Sequence, residues 1–197
     1  MKIGIENLII ISAPSGAGKT TLCERLLKDY SDIAYSISCT TRSPRGKEKD
    51  GKDYFFISDA EFEQKIRKND FLEHACVHGY KYGTLKTSVY KALGAGSSVL
   101  MDIDVQGADQ VREFVNGAPT DDLIKKNFVD VFIAPPSVEE LRKRLKGRGE
   151  DEDKTIQCRL QNAEKEMEDS IKFKHVIIND DLEKAYKELV RVLNRKH

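Results

Sequence analysis

Lys19 and Thr20 close the run Ala13-Pro14-Ser15-Gly16-Ala17-Gly18-Lys19-Thr20, which sits between an apolar stretch, Leu8 to Ser12, and an amphipathic one, Leu22 to Leu27. Apolar strand, glycine-rich turn, then helix is the context in which such a turn binds phosphate. Gly16 and Gly18 can take backbone angles closed to residues with a Cβ. Successive N–H groups then converge on one anion, backed by the positive end of the helix dipole. The pattern assigns Lys19 to the β- and γ-phosphates of a nucleoside triphosphate and the Thr20 hydroxyl to Mg²⁺, with phosphate oxygens and water. The strict pattern begins with Gly, and Ala13 stands there instead. The bland alternative is an ordinary strand-to-helix turn.

A second anion site is suggested by Ser38-Cys39-Thr40-Thr41-Arg42-Ser43-Pro44-Arg45, with Tyr54 nearby. Guanidinium forks match phosphate oxygens, and hydroxyls complete the cage. A solvated basic loop has the same composition. Asp102 closes an apolar strand, where parallel sheets place ligand-binding groups; a buried capping role fits equally well. Arg144, Arg148 and Arg159 flank the charged segment Gly147–Lys154, which reads as mobile. His74, Cys76 and His78 alternate and share a strand face, but three ligands make an incomplete metal set. Packing and exposed polar residues explain them better.

The elements that position these residues follow from periodicity. Strands are expected at Leu8–Ser12, Ile33–Ser38, Tyr54–Ile57, Phe71–Val77, Tyr80–Thr84, Ser98–Ile103, Val129–Ile133 and His175–Ile178. Ser58-Asp59-Ala60-Glu61 and Ser137-Val138-Glu139-Glu140 are capping-box signatures that open helices. Leu85, Val89 and Leu93 form a helical stripe, Gly107 to Val115 reads as a helix, and Asn116 to Asn127 as a polar connection. A polar helix covers about Thr155 to Asp169, and the last helix carries Leu182, Tyr186, Leu189, Val190 and Leu193 on one face. Alternating strands and helices imply an α/β fold with a parallel sheet and right-handed crossovers. Ser36 to Ala95 breaks that rhythm and reads as an inserted mixed α/β subdomain.

The whole chain sets bounds. Its 197 residues are ample for a core. Thirty-three basic and 33 acidic residues cancel, so no global field attracts nucleic acid or an anionic membrane. No apolar stretch approaches a membrane-crossing length, and the N-terminus has no signal-peptide pattern. The cysteines at 23, 39, 76 and 158 lack Cys-x-x-Cys spacing. Free thiols in a cytoplasmic protein are the expectation.

The ordered set Ser-x-Thr-Thr-Arg-x-Pro-Arg, Gly51-Lys52-Asp53-Tyr54-Phe55-Phe56, Phe71-Leu72-Glu73-His74-Ala75, Tyr82-Gly83-Thr84, Leu100-Met101-Asp102-Ile103-Asp104-Val105-Gln106-Gly107, Ala134-Pro135-Pro136-Ser137, Gly147-Arg148-Gly149 and Asn179-Asp180-Asp181 follows the glycine-rich turn. Together these pieces resemble guanylate kinase along nearly the whole chain. The resemblance implies a P-loop-type core (1–35 and 97–197), a GMP-binding subdomain (36–96) and a small helical lid (144–160). It implies ATP and GMP as substrates, Mg²⁺ as cofactor, and dGMP as a further acceptor left open. It places Arg42, Arg45, Tyr54 and Tyr82 on the GMP phosphate, and Ser38, Glu73, Thr84 and Asp104 on guanine, with Asp102 alongside. It places Ala13 through Thr21 and Asn179 on ATP, and Lys19, Arg148 and Arg159 in catalysis; Arg144 matches less well. The chemistry agrees for Glu73: an ionised carboxylate only accepts hydrogen bonds, and guanine offers N1–H and the 2-amino group side by side. Adenine offers an acceptor at N1 and would leave the carboxylate poorly paired.

The expected activity is transfer of the γ-phosphoryl group of ATP to GMP. The alternative is a catalytically inactive guanylate-kinase-like interaction module, against which the retained Lys19, Arg148 and Arg159 count. Cys39, Tyr80-Lys81 and a long Gly117–Asn127 connection depart from the usual family pattern.

Overall fold

The computed structural model describes residues 3, 7–77, 79–147 and 153–194. Arg148 and His78, singled out from sequence, lie outside them.

Two sheets organise the chain. The larger has five strands in the order β2-β7-β1-β8-β9, all parallel: β1 (Leu8–Ser12), β2 (Ile33–Tyr35), β7 (Ser98–Asp102), β8 (Phe128–Ala134) and β9 (His175–Ile178). β1 lies at its centre and is buried throughout. Its apolar run has no polar alternation because both faces are covered. Ile9 and Ile11 pack with Leu22 and Leu26 of α1 (Lys19–Asp29) and Leu189 and Leu193 of α8 (Leu182–Leu193). Leu8 and Ile10 pack the other way, with Val89 and Leu93 of α3 (Lys86–Gly94) and Val111 of α4 (Val105–Gly117). The expected α/β architecture is present, a parallel sheet flanked by helices.

The smaller sheet runs β4-β3-β6-β5, built from β3 (Cys39–Thr40), β4 (Phe55–Phe56), β5 (Phe71–Val77) and β6 (Tyr80–Leu85). The β5–β6 hairpin is antiparallel, while β3 and β4 run parallel. Beneath it lies α2 (Asp59–Arg67), opened by the expected capping box of Ser58 and Glu61. Phe62, Phe71 and Cys39 form this sheet's own small core, with Phe62 and Phe71 stacked at 4.4 Å.

Several boundaries differ from the sequence expectation. β2 ends at Tyr35 because the Ser36 N–H closes the pairing on the Leu100 carbonyl and the chain then leaves for the second sheet. α4 starts at Val105, two residues before Gly107, because Asp104 is its N-cap. The 116–127 connection contains a short helix, α5 (Leu123–Lys126), capped by Asp122. Ile124 is fully buried there, and Lys125 donates to the Asn116 and Ala118 carbonyls. One buried side chain thus anchors a segment that composition alone marks as polar. In the second capping motif, Ser137 accepts from the Glu140 N–H, while the Glu140 carboxylate lies beside Arg144 at 3.5 Å. α6 (Val138–Gly147) and α7 (Asp153–Glu168) pack together through Leu141, Leu145, Ile156 and Leu160.

Candidate active site

The turn between β1 and α1 has the geometry its glycines require. Gly16 and Gly18 have φ of 95° and 96°, in the left-handed region. A Cβ on Gly18 would come within 2.3 Å of Asn179 Nδ2. That amide donates to the Ala17 carbonyl at 2.7 Å, and Asn179 is buried. Arg144 in turn donates to the Asn179 carbonyl at 2.9 Å. Asn179 and Arg144 therefore brace the turn from below, a role the sequence reading did not assign to either. Ala13 through Thr21, apart from Ala17, line a hollow of about 300 Å³, joined by Glu166 of α7. Burial pushes the Glu166 carboxyl above its ordinary range, opposed by Lys19. Arg159 stands seven residues earlier on α7 and is half-buried. That spacing puts it on the same helix face as Glu166, about 10 Å away along the axis.

Lys19 points to the sheet side of the hollow. Its Nζ lies 2.5 Å from Asp102 Oδ1, at the C-terminal end of β7, and 3.4 Å from the Ile103 carbonyl. Asp102 also lines a second cavity of about 270 Å³, with Ser38, Tyr54, Glu73, Tyr82 and Asp104. The two cavities meet at the Lys19–Asp102 pair. Tyr35, Ser36 and Asp53 also line the second cavity. Ser36 carries a buried hydroxyl oxygen with no hydrogen-bond partner among the described residues. Sequence reading assigned none of the three to the site: Tyr35 ends β2, Ser36 follows it, and Asp53 stands in a turn, where it counts only as part of the run before Tyr54.

Glu73 is reached by a backbone irregularity. Between Phe71 and Glu73, β5 slips register against β6, two residues facing one. Such bulges re-aim side chains. Phe71 stacks on Phe62, Leu72 enters the main core, and Glu73 faces the second cavity. Glu73 is only 5% exposed. Burial pushes its carboxyl above the ordinary range, hydrogen bonds from Thr84 pull it back, and the nearby Asp104 adds to the rise. Ser38 and Thr84 hydroxyls are 3.2 Å apart beside it. Asp104 accepts the Gly107 N–H at 2.8 Å, so one of its oxygens is committed to capping α4.

Arg42 is buried, with four of its five N–H donors occupied. Nε donates to the Tyr82 hydroxyl at 3.3 Å, and one terminal nitrogen donates to the Ser43 carbonyl at 2.9 Å. The two terminal nitrogens grip Glu48 through two bonds of 2.9 Å. Glu48 also accepts the Arg45 N–H at 2.7 Å. These bonds hold the Glu48 carboxyl down to about 2. Tyr54 stands edge-on to Tyr82 at 5.9 Å, and the Arg42 guanidinium lies 5.4 Å from its ring centre. The Arg45 guanidinium has no hydrogen bond or ion pair among the described residues, and Arg45 is exposed. The sequence reading paired the two arginines as equals; the fold commits four of the five Arg42 donors to the framework and leaves the Arg45 guanidinium open. Glu48 was missed because a glutamate in a charged loop is unremarkable until its partner is known.

The His74 ring lies near Phe62 and Phe71, at 6.5 and 6.0 Å. All four cysteines are free, Cys23 and Cys39 buried and Cys76 and Cys158 exposed. No helix among the described residues is long and apolar enough to cross a membrane.

Comparison with known proteins adds a family. A family model described as Guanylate kinase matches residues 5–196. A guanylate kinase of Fusobacterium nucleatum is 46% identical over 186 residues, covering 94% of this chain and 95% of that protein. One from Bacteroides fragilis is 44% identical over 193 residues, covering 98% of this chain and 90% of that protein. The crystal structure of guanylate kinase from Anaplasma phagocytophilum superposes with a TM-score of 0.71 at 30% identity, over 96% of this chain and 85% of that one.

Proposed function

The chain belongs to the guanylate kinase family, and from that premise we propose how its own residues move the γ-phosphoryl group of ATP to GMP, giving ADP and GDP. Nothing favours an inactive interaction module. The observation that carries the assignment of roles is the meeting of the two cavities at Lys19 and Asp102. A donor phosphate in one hollow and an acceptor phosphate in the other would face each other across that pair. In-line phosphoryl transfer needs this positioning and charge neutralisation more than covalent chemistry.

The N–H groups of the turn from Ala13 to Thr21 receive the ATP phosphates. Asn179 acts through the Ala17 carbonyl it holds. Lys19 leaves Asp102 for the β- and γ-phosphates, which form a stronger anion than one carboxylate. The oxygen donors around the hollow, the Thr20 hydroxyl with the Asp102 and Glu166 carboxylates, suit a hard cation. Thr20 would hold Mg²⁺ with phosphate oxygens and water, and the ion would neutralise charge on the transferring group. Arg159, on the Glu166 face of α7, adds positive charge from the lid side. Arg148 is carried over as its companion from the sequence alone.

On the acceptor side, Glu73 accepts from guanine N1–H and the 2-amino group. Ser38, Thr84 and the uncapped oxygen of Asp104 complete the base contacts. Arg45, Tyr54, Tyr82 and the remaining N–H of Arg42 take the GMP phosphate. These contacts go to base and phosphate, so dGMP is included as an acceptor. The division into a core (1–35 and 97–197), a GMP-binding subdomain (36–96) and a lid (144–160) rests on the two sheets and the α6–α7 pair. Four free thiols fit a reducing compartment, and the cytoplasm is the proposed location.

The test is ADP release, coupled to NADH oxidation, with GMP, dGMP, AMP and dTMP as acceptors. GMP should be the preferred acceptor, and chelation of Mg²⁺ should stop turnover. Comparable rates with AMP or dTMP would sink the substrate assignment.

A further inference from the structure

Asp104, the N-cap of α4, and Gly107 and Gln110 within the helix are spaced three apart and form one stripe along it. The stripe lies against β5. Asp104 caps the helix and lines the guanine cavity. A Cβ on Gly107 would stand 3.2 Å from Glu73 Oε2, so the helix packs directly on that carboxylate. One turn further, the half-buried Gln110 reaches the backbone of His74, the residue after Glu73. Its Oε1 accepts the His74 N–H at 3.0 Å, and its Nε2 donates to the His74 carbonyl at 2.9 Å. No motif in the sequence marks this residue.

The geometry matters because β5 is an edge strand. Its outward N–H and carbonyl groups have no neighbouring strand to meet. The bulge lies just before this point, between Phe71 and Glu73, while Glu73 and His74 pair with Thr84 and Gly83 of β6 on the inner side. Gln110 supplies the missing outer partner, two bonds to one residue, as a strand would. We propose that Gln110 is a positioning residue for guanine recognition: it clamps the outer edge of β5 and so fixes where the Glu73 carboxylate points. Thr84 holds the carboxylate from the inner side. The clamp joins the small sheet to a helix of the core, so the base-reading group is referenced to the same framework that carries Lys19 and Asp102.

The inference rests on the guanylate kinase reading above, and the experiment separates the two. Gln110→Met keeps the side chain's bulk and removes both hydrogen bonds; Gln110→Glu keeps only the acceptor for the His74 N–H. Steady-state kinetics with GMP, AMP and ATP varied in turn are combined with deuterium exchange of the Phe71–Val77 peptide. With Gln110→Met, KM for GMP should rise about tenfold, the scale of two modest hydrogen bonds. That rise should exceed any change in kcat or in KM for ATP, the preference for GMP over AMP should fall, and exchange in the peptide should quicken. Gln110→Glu should fall between wild type and Gln110→Met. Unchanged exchange and unchanged KM for GMP overturn the clamp. Equal losses toward ATP and GMP, with a lowered melting temperature, also overturn it, because they describe a general packing role. Failure of the wild-type protein to phosphorylate GMP removes the reaction reading itself, and this inference with it.

Discussion

Lys19, Glu73 and Glu48 each take a different kind of evidence to interpret. Lys19 was legible from its motif, since glycines, lysine and threonine in that order leave few other uses. Lys19→Ala should lower kcat by at least about 10²-fold, as loss of one preorganised charge at a transferring group does; single-turnover rates measure it. Glu73 was legible only through resemblance, because a lone glutamate says nothing of its burial. Its carboxyl titrates above the ordinary range, and the proposed guanine contact requires the ionised form. kcat/KM for GMP should therefore fall on acidification at a pH above that of an exposed glutamate. In Glu73→Gln that acid limb should vanish, along with most of the preference for GMP over AMP. Glu48 was not legible at all. Its folded value of about 2 lies below an unfolded glutamate's value of about 4.3, so the unfolded chain binds the proton more readily. The Arg42–Glu48 pair thus stabilises the fold above about pH 4.3, and that contribution fades as the pH falls toward 2. The denaturant midpoints of wild type and Glu48→Gln should differ at pH 7 and converge in acid, with KM for GMP raised several-fold at neutral pH.

At the level of elements, strong local signals translated directly. The unbroken apolar run of β1 became the central strand, and the Ser58–Glu61 box capped α2 as its spacing requires. Ser58→Ala should cost about 1 kcal/mol of stability by chemical denaturation. The turn after β1 is a harder constraint. Gly18→Ala combines a positive φ with a clash against the Asn179 amide, so it disturbs both the loop and its brace. The expected result is a loss of about 1–3 kcal/mol and a raised KM for ATP, with KM for GMP less affected. Elements defined by one residue were less legible. α5 forms because Ile124 finds a buried place against the core and Asp122 caps it, and neither fact is written in a twelve-residue polar stretch. The bulge in β5 is similar: alternation would set Phe71 and Glu73 on one face, and pairing with β6 decides otherwise.

Over the whole molecule, the two sheets have separate cores. Phe132 is buried in the large cluster beneath the parallel sheet, and Phe62 in the small one beneath the hairpin sheet. Truncating either to Ala should cost about 3–5 kcal/mol of packing where it sits. Phe132→Ala should lower the global melting transition and weaken both nucleotides. Phe62→Ala should weaken GMP binding well before ATP binding, measured by titration calorimetry with each nucleotide separately. Equal loss of both nucleotides in Phe62→Ala would mean that the small sheet is no independent platform for the acceptor.

The sequence by itself determined the fold class, the phosphate loop and the order of the family's motifs. These are local properties: periodicity, capping and a glycine turn act over a few residues, so each can be read in place. Tertiary structure alone decided that Arg42 is gripped by Glu48 while Arg45 stays open, that Asn179 braces the loop, and that Gln110 grips the strand carrying Glu73. Each of those depends on which side chain meets which across the fold. A hydrogen bond over 36 or 162 residues of chain leaves no periodic trace in the residues between. Burial, which pushes the Glu73 carboxyl above its ordinary range, is likewise a property of what surrounds a residue rather than of its neighbours in sequence.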